Sequence, residues 1–175
     1  MSTGISTGIG VVVGNPKPRS RTYHAAVTVA RELAGRDPDF RLDLADFGPA
    51  LLDWSDPAVA AAVEQVKGAR LLVVASPTFK ATYTGLLKVF LDRFAAGSLA
   101  GVVAIPLQLG GSWRHALAPE VFLKPVLAEI GASTPTRALY LLDSDAGDDP
   151  ESGFAASPTL LEWLSVSTRQ LPSLV

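Results

Sequence analysis

The sequence predicts an α/β fold: a three-layer sandwich whose central five-stranded parallel sheet has the order 2-1-3-4-5. Short apolar runs rich in β-branched residues alternate along the chain with segments of helical periodicity. Parallel strands need crossover connections, and the intervening helical segments supply them. Right-handed crossovers with helices on both faces leave few arrangements, and the order 2-1-3-4-5 suits five strands. That order opens a ligand crevice at the carboxyl ends of strands one and three, where the chain order reverses.

Ile9 to Val13 is a β-branched run closed by Gly14, the first strand. From Arg21, Ala25, Ala26, Val29, Ala30, Leu33 and Ala34 recur at helical spacing until Gly35 ends the pattern. Phe40 to Phe47 alternates apolar and polar residues, as a half-exposed edge strand does. Asp56-Pro57 is a helix start, with Asp as N-cap and Pro at the first position, and Ala58 to Val66 continues the helix. Arg70 to Ala75 is the third strand. The next helix places Tyr83, Leu86, Leu87, Phe90, Leu91 and Phe94 on one stripe, with Lys88 and Asp92 one turn apart outside it. Gly101 to Leu107 is the fourth strand, Gln108 to His115 a loop, and Ala118 to Glu129 a helix. Arg137 to Leu142 is the fifth strand; Asp143 to Ser157 reads as loop and Leu160 to Arg169 as the closing helix.

With 175 residues, 48% of them hydrophobic and 18% charged, the chain suits one domain over 9–175 after a flexible tail at 1–8. It has no cysteine, which removes disulfides, thiolate metal sites and catalytic thiols, so redox chemistry requires a bound cofactor. A net charge of −2 argues against a broad nucleic-acid surface. No segment reaches the roughly 18 apolar residues of a membrane span, and the expected location is cytoplasmic.

Two loops carry the chemistry. In Gly14-Asn15-Pro16-Lys17-Pro18-Arg19-Ser20-Arg21-Thr22, hydroxyls, a guanidinium and the amides opening a helix form a seat for a phosphate. The competing reading is that Ser20 or Thr22 merely caps the helix while Lys17, Arg19 and Arg21 are solvated. The loop is neither Gly-x-Gly-x-x-Gly nor a Walker loop, so dinucleotide binding in the Rossmann manner and ATP hydrolysis lose support. The second loop, Ser76-Pro77-Thr78-Phe79-Lys80, offers flat apolar surface and backbone amides to an aromatic ring. Flavin mononucleotide fits both. Gly110 and Gly111, in a third loop with Ser112, let backbone approach such a ring closely. His115 and His24 read as structural. Lys17, Arg19, Lys80 and Arg114 are candidates for a nicotinamide 2′-phosphate, and the acidic run from Asp143 to Asp149 reads as a solvated loop without EF-hand spacing.

From about Val11 to Val126 these residues resemble the NAD(P)H-dependent FMN reductases of flavodoxin-like fold, in particular those that supply reduced FMN to alkanesulfonate monooxygenases. The motifs are Gly14-x-Pro16-x-x-x-Ser20-Arg21-Thr22, Ser76 to Lys80 with Tyr83, Gly85 and Lys88, and Gly110-Gly111-Ser112 with His115. The resemblance implies FMN and NADPH or NADH as cofactors. Ser20, Arg21 and Thr22 would hold the phosphate, Pro77, Thr78 and Phe79 would line the ring, and Gly111 and Ser112 would meet its polar edge. Asn15, Lys17, Ser76, Lys80 and Gly110 complete the expected binding set. Asn15 stands where the family usually has Ser, and Phe79 where Tyr is common. Relatives can carry an extra residue that makes a π-bulge at a subunit interface; the matching position here is Val121. Pro125 has no N–H for the Val121 carbonyl, so this helix should kink or bulge in any case.

The expected function is hydride transfer from a nicotinamide to FMN, with a monooxygenase as possible partner and a homodimer or homotetramer as assembly, the Tyr83 to Phe94 helix near the contact. The alternatives are a quinone or azo reductase holding FMN, a flavodoxin-like electron carrier, and a scaffold that has lost flavin. Carriers usually present strongly acidic faces, whereas basic residues surround this crevice.

Overall fold

The computed structural model describes residues 8–150 and 152–171. Strands β1 (Ile9–Val13), β2 (Phe40–Asp43), β3 (Leu71–Pro77), β4 (Val103–Gly110) and β5 (Leu139–Leu142) form one parallel sheet of order β2-β1-β3-β4-β5. Helices α1 (Arg21–Ala34) and α5 (Pro158–Ser167) cover one face, and α2 (Pro57–Lys67), α3 (Gly85–Leu91) and α4 (Lys124–Glu129) the other. Because side chains alternate along a strand, Val11 and Val13 pack toward α1 while Val12 packs toward α3. The three inner strands are buried along their whole length, as a sheet covered on both faces requires.

Side chains that satisfy orphan amides fix where the helices begin. Ser20 Oγ accepts from Tyr23 N–H at 3.3 Å at the start of α1, and Gly35, at φ 66°, ends it in the left-handed conformation. Asp56 accepts from the Ala58 and Val59 amides, with Pro57 at the first helical position of α2. Thr84 caps α3 by accepting from Leu87 N–H, and its own hydroxyl donates to the carbonyl of Gly14. A Cβ on Gly14 would lie 2.4 Å from Leu87 Cβ. The absence of a side chain there lets α3 press against the turn after β1. Leu87, fully buried in this contact, and Phe90, fully buried in the core on the same face, each contribute about 1.5–3 kcal/mol of apolar burial.

Several boundaries differ from the sequence reading. β2 ends at Asp43, and Leu44–Asp46 turns into a 3-10 helix that buries Leu44, so the alternating pattern to Phe47 is only half strand. β3 continues through Ser76 and Pro77, and β4 through Gln108 and Leu109, because these residues remain paired with one another, and Gly110 extends β4 by pairing with Leu142 of β5. β4 begins at Val103 rather than Gly101, and β5 at Leu139 rather than Arg137. Tyr83 precedes α3 and Phe94 follows it. The 143–157 segment contains two 3-10 turns, and Phe154 and Ala146 are buried against α1 and α5, so it is not simply solvated. The bulge near Val121 is present: Pro119–Leu123 is a π-helix, with Lys124 N–H donating to the Pro119 carbonyl. Of the expected tail, residues 1–7 lie outside the described residues, while the Gly8 carbonyl accepts from the Arg70 and Leu71 amides at 2.7 and 3.2 Å.

Candidate functional site

Three loops meet at the carboxyl end of the sheet. In the first, Asn15 Oδ1 accepts from Lys17 N–H at 3.0 Å and its Nδ2 donates to Thr22 Oγ1 at 3.1 Å, so Asn15 shapes the turn from within. Ser20 and Thr22 are buried, with exposures of 4% and 2%. The capping reading of Ser20 is therefore correct as far as its lone pair goes; its O–H and that of Thr22 remain as donors. The Arg21 and Thr22 amides at the start of α1 have no acceptor among the described residues, and Lys17 and Arg21 are exposed without an ion pair there. Arg19 is different. Its guanidinium pairs with Asp43 at 2.9 Å and Asp46 at 2.8 Å and lies 5.0 Å from the Tyr23 ring centroid, which removes it from the nicotinamide 2′-phosphate candidates.

The second loop is a two-residue hairpin turn: Phe79 N–H donates to the Thr82 carbonyl and Thr82 N–H returns to that of Phe79. Lys80 and Ala81 at its tip have φ of 52° and 70°. Such a turn matches the twist of a hairpin but normally selects Asn and Gly, so two ordinary residues here store strain. The sequence expectation of free amides at Phe79 is corrected, since Thr78 N–H is also taken, by the Leu109 carbonyl at 2.6 Å; the amides left open are those of Lys80 and Ala81. Ser76 and Pro77 are buried. The Ser76 hydroxyl donates to the Pro77 carbonyl at 2.8 Å and accepts from Thr84 N–H at 3.0 Å, which makes Ser76 a brace beneath the loop and not a surface contact. Phe79, 51% exposed, presents the flat apolar surface.

Beneath the third loop runs a polar row that the sequence reading missed. Ser76, Gln108 and Tyr140 are paired in register across β3, β4 and β5. Gln108 Nε2 donates to Thr78 Oγ1 at 3.4 Å, Thr78 bonds the Tyr140 hydroxyl, and that hydroxyl donates to the Ser112 carbonyl at 2.9 Å. Burial pushes the Tyr140 phenol above its usual pKa against the opposing hydrogen bond from Thr78, with Asp143 adding to the rise, so it stays a donor at neutral pH. The legible signal was a Gln within an apolar run. Gly110 lies in β4, where a Cβ would sit 2.0 Å from the Tyr140 hydroxyl; close approach of this phenol, not of a ligand, demands the glycine. Gly111, Ser112 and Trp113 are exposed, with the Trp113 ring 5.9 Å from that of Tyr140.

Between the hairpin tip and the third loop lies a cavity of about 380 Å³ lined by Ala81, Trp113, Arg114, His115, Leu117 and Phe122. Asn15 to Thr22, Thr78 to Lys80 and Gly111 to Ser112 thus share one end of the sheet, as expected. His115 lies on the exposed wall of that cavity, and His24 packs edge-on against Tyr23 on α1. Among the described residues no acidic or histidine cluster is arranged to hold a metal ion, and in the acidic run Asp145 caps the Leu142 amide.

Residues 7–147 match the family model described as NADPH-dependent FMN reductase. The chain belongs to this family. An FMN reductase (NADPH) of Escherichia coli strain K12 is 33% identical over 141 residues, covering 78% of this chain and 74% of the relative. The NADH-dependent FMN reductase SfnF of Pseudomonas putida is 32% identical over 138 residues, covering 74% of each. A crystal structure of an NADH:FMN oxidoreductase (EMOB) superposes with a TM-score of 0.74 at 34% identity over 94% of both chains. An archaeal flavodoxin, at 15% identity and a TM-score of 0.54, shares the fold. This FMN reductase family chain carries a donor set suited to a flavin phosphate. Two open amides, two hydroxyls and two cations unpaired among the described residues meet at the positive end of a helix of 14 residues.

Proposed function

We propose that this protein is an NAD(P)H-dependent FMN reductase that delivers reduced FMN to a two-component monooxygenase. The observation that carries the reading is the convergence of the open amides of Arg21 and Thr22, flanked by unpaired Lys17 and Arg21, with the exposed Phe79 and the glycine loop at one end of the sheet. The bound flavin supplies the hydride-accepting chemistry. Ser20, Arg21, Thr22 and Lys17 bind the phosphate; Thr78 and Phe79 face the ring, with Pro77 and Ser76 as its buried support and Asn15 shaping the phosphate turn. The amides of Gly111, Ser112 and Lys80 stabilise negative charge at the polar edge, in a position held by the Tyr140 bond to Ser112. The open cleft beside Trp113 leaves room for the nicotinamide ring next to the flavin. The SfnF relatives, named NADH-dependent FMN reductases, support the flavin and nicotinamide substrates of this reading.

NADPH and NADH oxidation by the purified protein, with and without added FMN, tests this. Turnover that depends on added FMN is the expected result; tight FMN binding without turnover would move the protein to the electron carriers. Arg21→Ala is expected to weaken FMN binding about tenfold with an unchanged melting temperature, as loss of a charge-assisted contact does. Equal affinity in a fluorescence titration would reject the phosphate seat. A homodimer or homotetramer also belongs to this reading, supported by exposed Leu117 just before the π-helix and exposed Val121 and Phe122 within it.

A further inference from the structure

All three non-glycine residues with positive φ among the described residues lie in the first two loops, and one of them is Arg19 at 49°. The left-handed region is unfavourable to a β-carbon by roughly 1–2 kcal/mol, so something must hold Arg19 there. Asp43, at the last position of β2, does so. Its Oδ2 accepts both the Arg19 backbone N–H at 2.8 Å and Nη1 at 2.9 Å, and its side chain is 0% exposed. Asp46 on the following turn takes Nη2 at 2.8 Å, and the Tyr23 ring lies under the guanidinium. The side chain is thereby fastened away from the open amides, and the backbone reverses at Arg19 so that Ser20 enters as the N-cap of α1 with φ −72° and ψ 170°.

We infer that Asp43 is a positioning residue for the phosphate seat: by latching Arg19 in the left-handed conformation it pre-orders Ser20, Arg21 and Thr22, and so sets the preference of the site for FMN over riboflavin. The inference rests on the FMN reading above. The discrimination follows from what the latch touches. It acts on the loop that meets the phosphate and on neither loop that meets the ring, so a flavin without phosphate is indifferent to it. A latch of this kind acts by removing the ordering cost that a mobile loop would impose on the ligand. The two acidic groups also neutralise Arg19, leaving Lys17 and Arg21 as the loop's cations toward the ligand.

The test titrates the full chain and its variants with FMN and with riboflavin, following flavin fluorescence, with thermal melting in parallel. In Asp43→Ala the FMN dissociation constant should rise roughly tenfold and that of riboflavin less than about twofold. Arg19→Gly, which adopts the same φ without strain and keeps the backbone N–H that Asp43 accepts, should keep the FMN to riboflavin ratio within about threefold of the unaltered protein, and adding Asp43→Ala to it should lower that ratio. Equal losses for both flavins in Asp43→Ala would reduce Asp43 to a general structural role and overturn the inference. Tighter FMN binding in that variant, or loss of the ratio in Arg19→Gly, would mean that the guanidinium itself serves the phosphate, and would also overturn it. Should Asp43→Ala fail to fold, the Arg19→Gly ratio and the double variant decide. An unaltered protein that binds FMN no more tightly than riboflavin refutes the latch alone; one that binds neither flavin refutes the reductase reading with it.

Discussion

Gly110 owes its lack of a side chain to the Tyr140 phenol packed against it. In the sequence it stands beside Gly111 and looks like one half of a flexible ligand loop; in the fold it ends β4, and the Tyr140 hydroxyl occupies the space a methyl would need. Gly110→Ala should therefore displace the phenol, break its bond to the Ser112 carbonyl and destabilise the protein by about 1–3 kcal/mol, measured by denaturant unfolding. Tyr140→Phe should lose about 1 kcal/mol by the same measurement, the worth of one hydrogen bond. Ser20, Arg21, Thr22 and Phe79 were legible because hydroxyls, a cation and an aromatic ring after a strand are local signals. Gln108, Tyr140 and Asp43 were not, because their meaning depends on pairing between strands and on a contact between residues 24 apart in the chain.

Elements announced themselves where capping chemistry is local and blurred where pairing decides. Asp56-Pro57 read as a helix start, and Asp56 does accept from two amides there; Asp56→Ala should lower stability by about 1 kcal/mol in thermal or denaturant melts. The ends of β3 and β4 were read short, since only their mutual pairing carries them into loop-like residues. Asp39 and Ile9 clasp the approach to β2 against the start of β1: Asp39 N–H donates to the Ile9 carbonyl, and Ile9 N–H to Asp39 Oδ2, both at 2.8 Å. The Arg36 guanidinium, and then the Ile9 amide, lower the Asp39 carboxyl from 3.8 to about 2. A lowered carboxylate stabilises the fold fully above its unfolded value and loses that contribution as pH falls through the folded value. The melting temperature should accordingly fall between pH 4 and pH 2, and Asp39→Asn should melt lower at neutral pH with a flatter profile across that window.

For the molecule as a whole, the sheet order was legible because five strands and right-handed crossovers admit few alternatives, whereas assembly depends on surfaces that periodicity leaves undefined. Leu117 just before the π-helix and Val121 and Phe122 within it are exposed, and light scattering at micromolar concentration should return a dimer or tetramer; a monomer would reject that assembly. The double covering of the sheet has a consequence for mutational coupling. Val73 packs with α1 and α5, and Val74, its immediate neighbour, with α2, α3 and α4. Proximity along the chain therefore says nothing about energetic dependence here: Val73→Ala and Val74→Ala, each removing about 1–3 kcal/mol, should combine additively to within about 0.5 kcal/mol. Val73 with Ile105, partners across the sheet on one face and 32 residues apart, should depart from additivity by more than that. The molecule thus answers to perturbation as two bodies sharing one wall.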